Sequence, residues 1–228
     1  MKRFILTISC ALVLAVAQSA TVNWGAAVDT GIVDSTGNNL LPTGDLIRLG
    51  YFTITDSQIL ALASPTASNL ATLSSNWHSI ADTTIGTGTF SPGSFQVAST
   101  PNLTAADFGH QIYIWALNAT TVSASTQQAI FYNPIANSGA WALPGSNLNS
   151  TSIDIGGTTG PKSGGTYLAG SYQTTNAAAA GVFGAGAGAV KLAAVPAPEP
   201  STITLCAMAA VAMAGSRRRA RAGSPLIK

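Results

Sequence analysis

The chain has 228 residues, of which 46% are hydrophobic and only 8% charged, with a formal net charge of +2. That positive balance comes from the ends: between Thr21 and Pro196 three basic residues, Arg48, Lys162 and Lys191, stand against seven aspartates, a net −4. An acidic body excludes a nucleic-acid binder, which needs a basic stripe. Both cysteines, Cys10 and Cys206, fall in the terminal segments, so the body has neither a disulfide framework nor a thiolate metal site.

Taken in chain order, Lys2 and Arg3 precede an apolar run from Phe4 to Ala17 that closes on small residues. This is the pattern of a secretory signal peptide handled by the Sec translocon, spanning residues 1–19, with Ala17 or Ser19 as the cleavage position. The run is too short for a lasting membrane anchor.

Residues 20–195 form the next unit, about 175 residues, enough to bury a core without staples. It is rich in Thr, Ser, Asn, Gly and Ala and is broken about every ten residues by Gly, Pro or Asn clusters, which predicts many short strands. The expected strands are Thr21 to Gly25, Leu46 to Thr55, His110 to Asn118, Gln128 to Asn133, Ser152 to Ile155 and Thr166 to Thr174. In the third, Ile112, Ile114 and Ala116 alternate with Tyr113, Trp115 and Leu117, and both sets are apolar. A strand apolar on both faces belongs in the middle of the fold.

Between residues 56 and 82 the pattern changes to two short helices divided at Pro65, the first capped by Asp56. Leu70, Leu73 and Trp77 then share one face of the second. The loop Asp34-Ser-Thr-Gly-Asn-Asn39 reads as a hairpin turn. The stretch from Asn176 thins to alanine and glycine, its GAGAGA (184–189) reads as a low-complexity linker, and Val190 to Val195 is a candidate last strand. The fold class is therefore mainly β, a single sandwich or roll with a short helical insertion, flanked by the signal peptide and a C-terminal apolar helix. Trp24, Trp77, Trp115 and Trp141 are expected inside, with Trp115 central.

The most specific pattern lies at the end. Pro198-Glu199-Pro200-Ser201 is followed by an apolar run from Ile203 to Gly215 and then by Arg217, Arg218, Arg219 and Arg221. Arginines after an apolar run stay cytoplasmic, so the body halts outside the membrane. Thirteen helical residues reach about 20 Å against a hydrocarbon core of about 30 Å, which suits a transient hold better than a permanent anchor.

This tripartite segment, residues 196–221, closely resembles the PEP-CTERM sorting signal of exopolysaccharide-producing Gram-negative bacteria. The resemblance implies processing by a membrane transpeptidase of the exosortase family, with residues 222–228 as a cytoplasmic tail. The body is similar to exported proteins of planctomycete and verrucomicrobial type that carry this tail, through VNWG, DSTGNNLLPTGDLIRLGYF and GHQIYIWALNA followed by QQAIFYNP; the likeness brings no reaction with it. The implied route runs through an inner-membrane intermediate to the cell surface or extracellular matrix, with exopolysaccharide as a candidate partner.

The search for chemistry yields no catalytic, cofactor-binding or metal-ligating assignment. The body has no glutamate, since Glu199 belongs to the sorting motif, so a carboxylate pair must come from aspartates. Asp34, Asp45, Asp56 and Asp107 sit beside turn-forming residues, where turn and cap roles are the default. His78 and His110 lack a nearby second ligand and read as structural or surface residues. No G-x-S-x-G occurs. The expectation is a non-enzymatic structural protein, with a carbohydrate-binding module second and a secreted hydrolase third. An exposed row drawn from Tyr51, Trp77, Tyr132, Trp141, Tyr167 and Tyr172 is the feature that would favour the binding module.

Overall fold

A computed structural model describes residues 20–26, 29–88, 91–135, 139–146, 149–156, 160, 162 and 164–194. The signal-peptide positions Ala17 and Ser19, the motif Pro198 to Ser201, the apolar run and the arginine cluster all lie outside the described residues. The chain is mainly β, as its alternating patterns predict. Its strands are β1 (Thr21–Ala26), β2 (Thr30–Val33), β3 (Leu46–Phe52), β4 (Trp77–Thr84), β5 (Phe95–Ser99), β6 (Tyr113–Leu117), β7 (Gln127–Tyr132), β8 (Ser150–Asp154), β9 (Thr166–Ala169), β10 (Ser171–Gln173), β11 (Gly188–Lys191) and β12 (Ala193–Ala194). Three helices, α1 (Asp56–Ala61), α2 (Ala67–Ser75) and α3 (Ala177–Phe183), complete it.

The largest sheet runs β12-β7-β6-β3-β4, with β9 also pairing β7. Its centre is β6, whose five residues are all buried, in keeping with the apolar character of both its faces. On one face, Ile47, Leu49, Ile114, Ala116, Ala129 and Phe131 are in register. They belong to the same core as Val22, Trp24, Phe95 and Ile153 of the three-stranded sheet β5-β1-β8. These two sheets are the sandwich.

On the opposite face of the large sheet Arg48, Tyr113, Trp115, Gln128, Ile130 and Tyr132 stand together, and the helical insertion covers them. Gln128 donates from Nε2 to the Ala63 carbonyl at 2.9 Å and accepts the Trp115 indole N–H at 2.8 Å, joining the insertion to the sheet centre. Trp115 is fully buried, as are Trp24 and Trp141 to within 2%.

Several local expectations are corrected. The cap of α1 is Thr55, not Asp56: Gln58 N–H donates to Thr55 Oγ1, and Gln58 Oε1 in return accepts the Thr55 N–H at 2.9 Å. That reciprocal box frees the Asp56 carboxylate for other partners. Helix α2 stops at the Asn76 cap, and Trp77 opens strand β4 instead of continuing the face of Leu70 and Leu73. Its apparent helical spacing is incidental: β4 pairs along all of β3, with Phe52 opposite Trp77, and that pairing decides the place of the ring. Trp77 is only half-buried, with its ring against Phe52 and Trp115.

The expected strand from Thr166 to Thr174 is split at Gly170, which has φ 80° and no room for a side chain beside the Lys191 carbonyl. Strands β2 and β5 are further additions. The GAGAGA stretch is not a linker: it leads from α3 into β11, which pairs with β2 and β10. Val33, Ala179, Ala187 and Ala189 form a second small core there, with Phe183 and Leu40 packed against it. Small side chains let α3 approach that sheet closely, so the alanines and glycines are packing residues.

Candidate functional site

Both histidines of the chain, 32 positions apart, meet at one place. Tyr51 ends the core-facing row of β3, and the β3/β4 register puts His78 directly opposite it. The segment before β6 brings Asp107 and His110 to the same ring. The Tyr51 ring stacks on His78 at 4.7 Å and on His110 at 4.2 Å between centroids. Both interplanar angles are small, so the imidazoles occupy opposite faces of the phenol and are too far apart to share one metal ion.

Asp107 anchors the group. Its Oδ1 accepts the Tyr51 hydroxyl at 2.8 Å and lies 3.2 Å from His78 Nε2, an ion pair when that ring is protonated. Its Oδ2 accepts the Thr104 N–H and hydroxyl, both at 2.7 Å. Burial pushes the Asp107 carboxyl up, but the Thr104 and Tyr51 hydrogen bonds and the nearby His78 charge outweigh it, leaving the carboxyl below its ordinary range. Burial, then the Asp107 hydrogen bond and charge, push the Tyr51 phenol up to about 12. The expected turn role of Asp107 is thus present through Thr104, while its link to Tyr51 and His78 is new.

The remaining aspartates sort by partner. Asp34 is a turn residue, as expected: Oδ1 accepts from Thr36 N–H and hydroxyl, Gly37 N–H and Asn38 N–H, and Oδ2 from the Asn39 amide. Burial raises its carboxyl, and these donors, Asn39 and Thr36 foremost, overcome that and lower it to about 2. Lone pairs so fully used hold the hairpin and leave little to offer a cation. Asp56 accepts the hydroxyls of Tyr113 at 2.7 Å and Tyr132 at 2.5 Å, tying α1 to the sheet. Asp82 takes Arg48 in a two-pronged contact at 3.1 and 3.3 Å, while the guanidinium lies 5.5 and 5.6 Å from the rings of Trp77 and Trp115. Asp29 pairs with Lys162 on the surface at 2.7 Å.

Asp45 differs. It is 6% exposed, its Oδ2 has no partner, and burial alone raises its carboxyl to about 6. The turn role expected of its side chain is not seen, because the Asp45 N–H and carbonyl make the local bonds to Pro42 and Ile85 instead.

Of the six aromatics named as a possible platform, Tyr51 and Trp141 are buried and Trp77, Tyr132, Tyr167 and Tyr172 half-buried. Among the described residues no group of three or more His, Cys, Asp or Glu is placed to hold a metal ion, and no helix is long and apolar enough to cross a membrane. No protein-family model, curated protein or solved structure matches the chain.

Proposed function

We propose that the chain is an exported cell-surface or extracellular-matrix protein with a non-enzymatic, structural role, sorted by an exosortase-type transpeptidase. The observation that carries this reading is the order of three signals at the C-terminus: Pro198-Glu199-Pro200-Ser201, the apolar run from Ile203 to Gly215, and the arginines 217, 218, 219 and 221. A leader with Ala17 and Ser19 at its small-residue end supplies entry to the Sec translocon. The apolar run holds an inner-membrane intermediate, and cutting near Pro198 to Ser201 passes the body to the surface or matrix.

The body suits that role. It lacks cysteine, relies on a packed core, and uses most of its aspartates to fasten one element to another. The Asp107 cluster has the look of an acid–base pair, yet its carboxylate already accepts Tyr51 and both Thr104 donors, so it is read as a clasp. A sugar module built on a row of stacked aromatics finds little support, since none of the six candidate rings is fully exposed.

Intact mass of the extracellular species tests the proposal. The expected product starts after Ala17 or Ser19 and ends near Pro198 to Ser201, with any added group visible in the same spectrum. A released product still carrying Arg217 to Lys228 overturns the processing step.

A further inference from the structure

The outer face of the β5-β1-β8 sheet is not flat. Val22, Trp24 and Ala26 of β1 point into the core, so Asn23 and Gly25 point out. The register places Gly25 between Gln96 and Asp154, and Asn23 between Ala98 and Ser152. With no side chain at Gly25, the two flanking side chains become walls two strand spacings apart, about 9–10 Å. They enclose a half-open groove of about 300 Å³, floored by the backbone of Trp24, Val97 and Ile153. Glycine is required at that floor, because a Cβ would stand 2.8 Å from the Phe95 carbonyl oxygen.

The polar groups around the groove are uncommitted. Most amides elsewhere are engaged: Gln58 in the α1 cap, Gln111 with three carbonyls, Gln128 with Trp115 and Ala63, Asn176 with Gly37 and Gln173. The side chains of Asn23, Gln96 and Ser152 make no hydrogen bond to the described protein, and Asp154 uses one oxygen only, for the Gly156 N–H at 3.0 Å. Two amides, a hydroxyl and a carboxylate both donate and accept, which matches adjacent hydroxyls of a sugar ring. Among the described residues no cation lines the groove, and Lys162, close enough to interact with Asp154, is held by Asp29, so the groove itself presents only the Asp154 carboxylate to an anion. Among the described residues no aromatic face is presented, since Trp24 turns its ring into the core, which removes the grip on a planar heterocycle. The volume lies at the small end of ligand pockets and holds a single ring.

We propose that this groove binds one unit of a neutral sugar chain, seated over Gly25 between Gln96 and Asp154. The inference deepens the matrix reading and rests on it only for where the sugar comes from. The site works by hydrogen bonds along a sheet face, distinct from the aromatic platform considered above.

The test is nuclear magnetic resonance and calorimetric titration of the full-length chain with D-glucose, D-mannose and D-galactose, with neutral linear tetrasaccharides of each, and with D-glucuronate. The expected result is saturable binding of a neutral sugar, tetrasaccharide at least as tight as monosaccharide, with glucuronate weaker. Gln96→Ala and Asp154→Asn each weaken it about tenfold, the loss of one good hydrogen bond. Ala98→Trp, an outward substitution beside Asn23, blocks it, and His110→Ala leaves it unchanged. Absence of binding by every neutral sugar overturns the proposal. So does equal binding of glucuronate, or affinity untouched by the three groove substitutions. The titration uses purified protein, so it is independent of whether the chain is exported and cut: failed processing with intact binding leaves the groove standing, and the reverse leaves the sorting route standing.

Discussion

Tyr51 donates its hydroxyl to Asp107 at 2.8 Å, and with that single bond strand β3 is latched to the segment that leads into β6. Tyr51→Phe keeps the ring between the two imidazoles and deletes only this latch. The expected cost is about 1.5–3 kcal/mol, the range for a hydrogen bond to a charged group, read from urea unfolding. An unchanged midpoint contradicts the clasp reading.

Asp107 also sets an acid limit. Its folded carboxyl lies below the unfolded value of 3.8, so its stabilisation is fully present above that value and is lost as pH falls through the lower, folded one. Asp107→Asn removes that contribution. Melting curves are expected to show the variant less stable at neutral pH, with the gap closing in strong acid.

Asp45 acts with the opposite sign. Its folded carboxyl is raised to about 6 from 3.8, so between those values the folded chain holds a proton that the unfolded chain releases. Stability therefore falls as pH rises through that window, and the cost of an unpaired buried charge is complete above pH 6. Asp45→Asn is expected to melt higher than the parent at pH 7.5 and to lose the advantage near pH 4. A parallel pair of curves across the window rules this out.

Asp56 holds two tyrosines, and burial together with its hydrogen bonds and charge raises both phenols. Asp56→Asn leaves the shape and removes the charge, so ultraviolet titration should show phenolate appearing at lower pH than in the parent. Asp56→Ala forfeits both bonds, at about 3–5 kcal/mol.

Trp115→Ala should cost about 3–5 kcal/mol, the usual range for deleting a buried aromatic. It also removes the donor to Gln128 Oε1 and one of the two rings flanking Arg48. Equilibrium unfolding measures it, and a cost below about 1 kcal/mol would deny Trp115 its central place.

The sandwich was legible where sequence pattern and burial coincide. Both alternating sets of β6 are apolar, and its central position follows; β1, β3, β7 and β8 show at nearly their observed bounds. Strands β2 and β5 escape because four or five residues containing Gly, Gln or Ser carry little alternation. Trp77 misleads because its spacing from Leu70 and Leu73 suits a helix, while its place is decided by pairing with β3. Helix α3 hides in alanine, a strong helix former that carries no amphipathic stripe. The Asp107 cluster is invisible to spacing, since the β3/β4 register brings Tyr51 to His78, and the return of the chain before β6 adds Asp107 and His110. The turn-forming neighbours of Asp107 were its one local trace, and the structure supplies Thr104 as the turn partner. At the groove, VNWG was visible as a motif, but the emptiness over Gly25 depends on Gln96 and Asp154 arriving from two distant strands.

The parallel pairings set the order in which the fold can close. Thr21 lies beside Ser150, and Thr30 beside Gly188, so the first two strands each wait for a partner made much later. A chain emerging from its N-terminus can pair β3 with β4 early, across the two short helices that join them, but β2 stays without its β11 partner until almost the last body residue has emerged. Contacts of such long range form slowly, because the loop must close before any pairing is gained. The topology thus leaves the body open until its end is made, and the small α3-covered sheet seals only once β11 has joined β2.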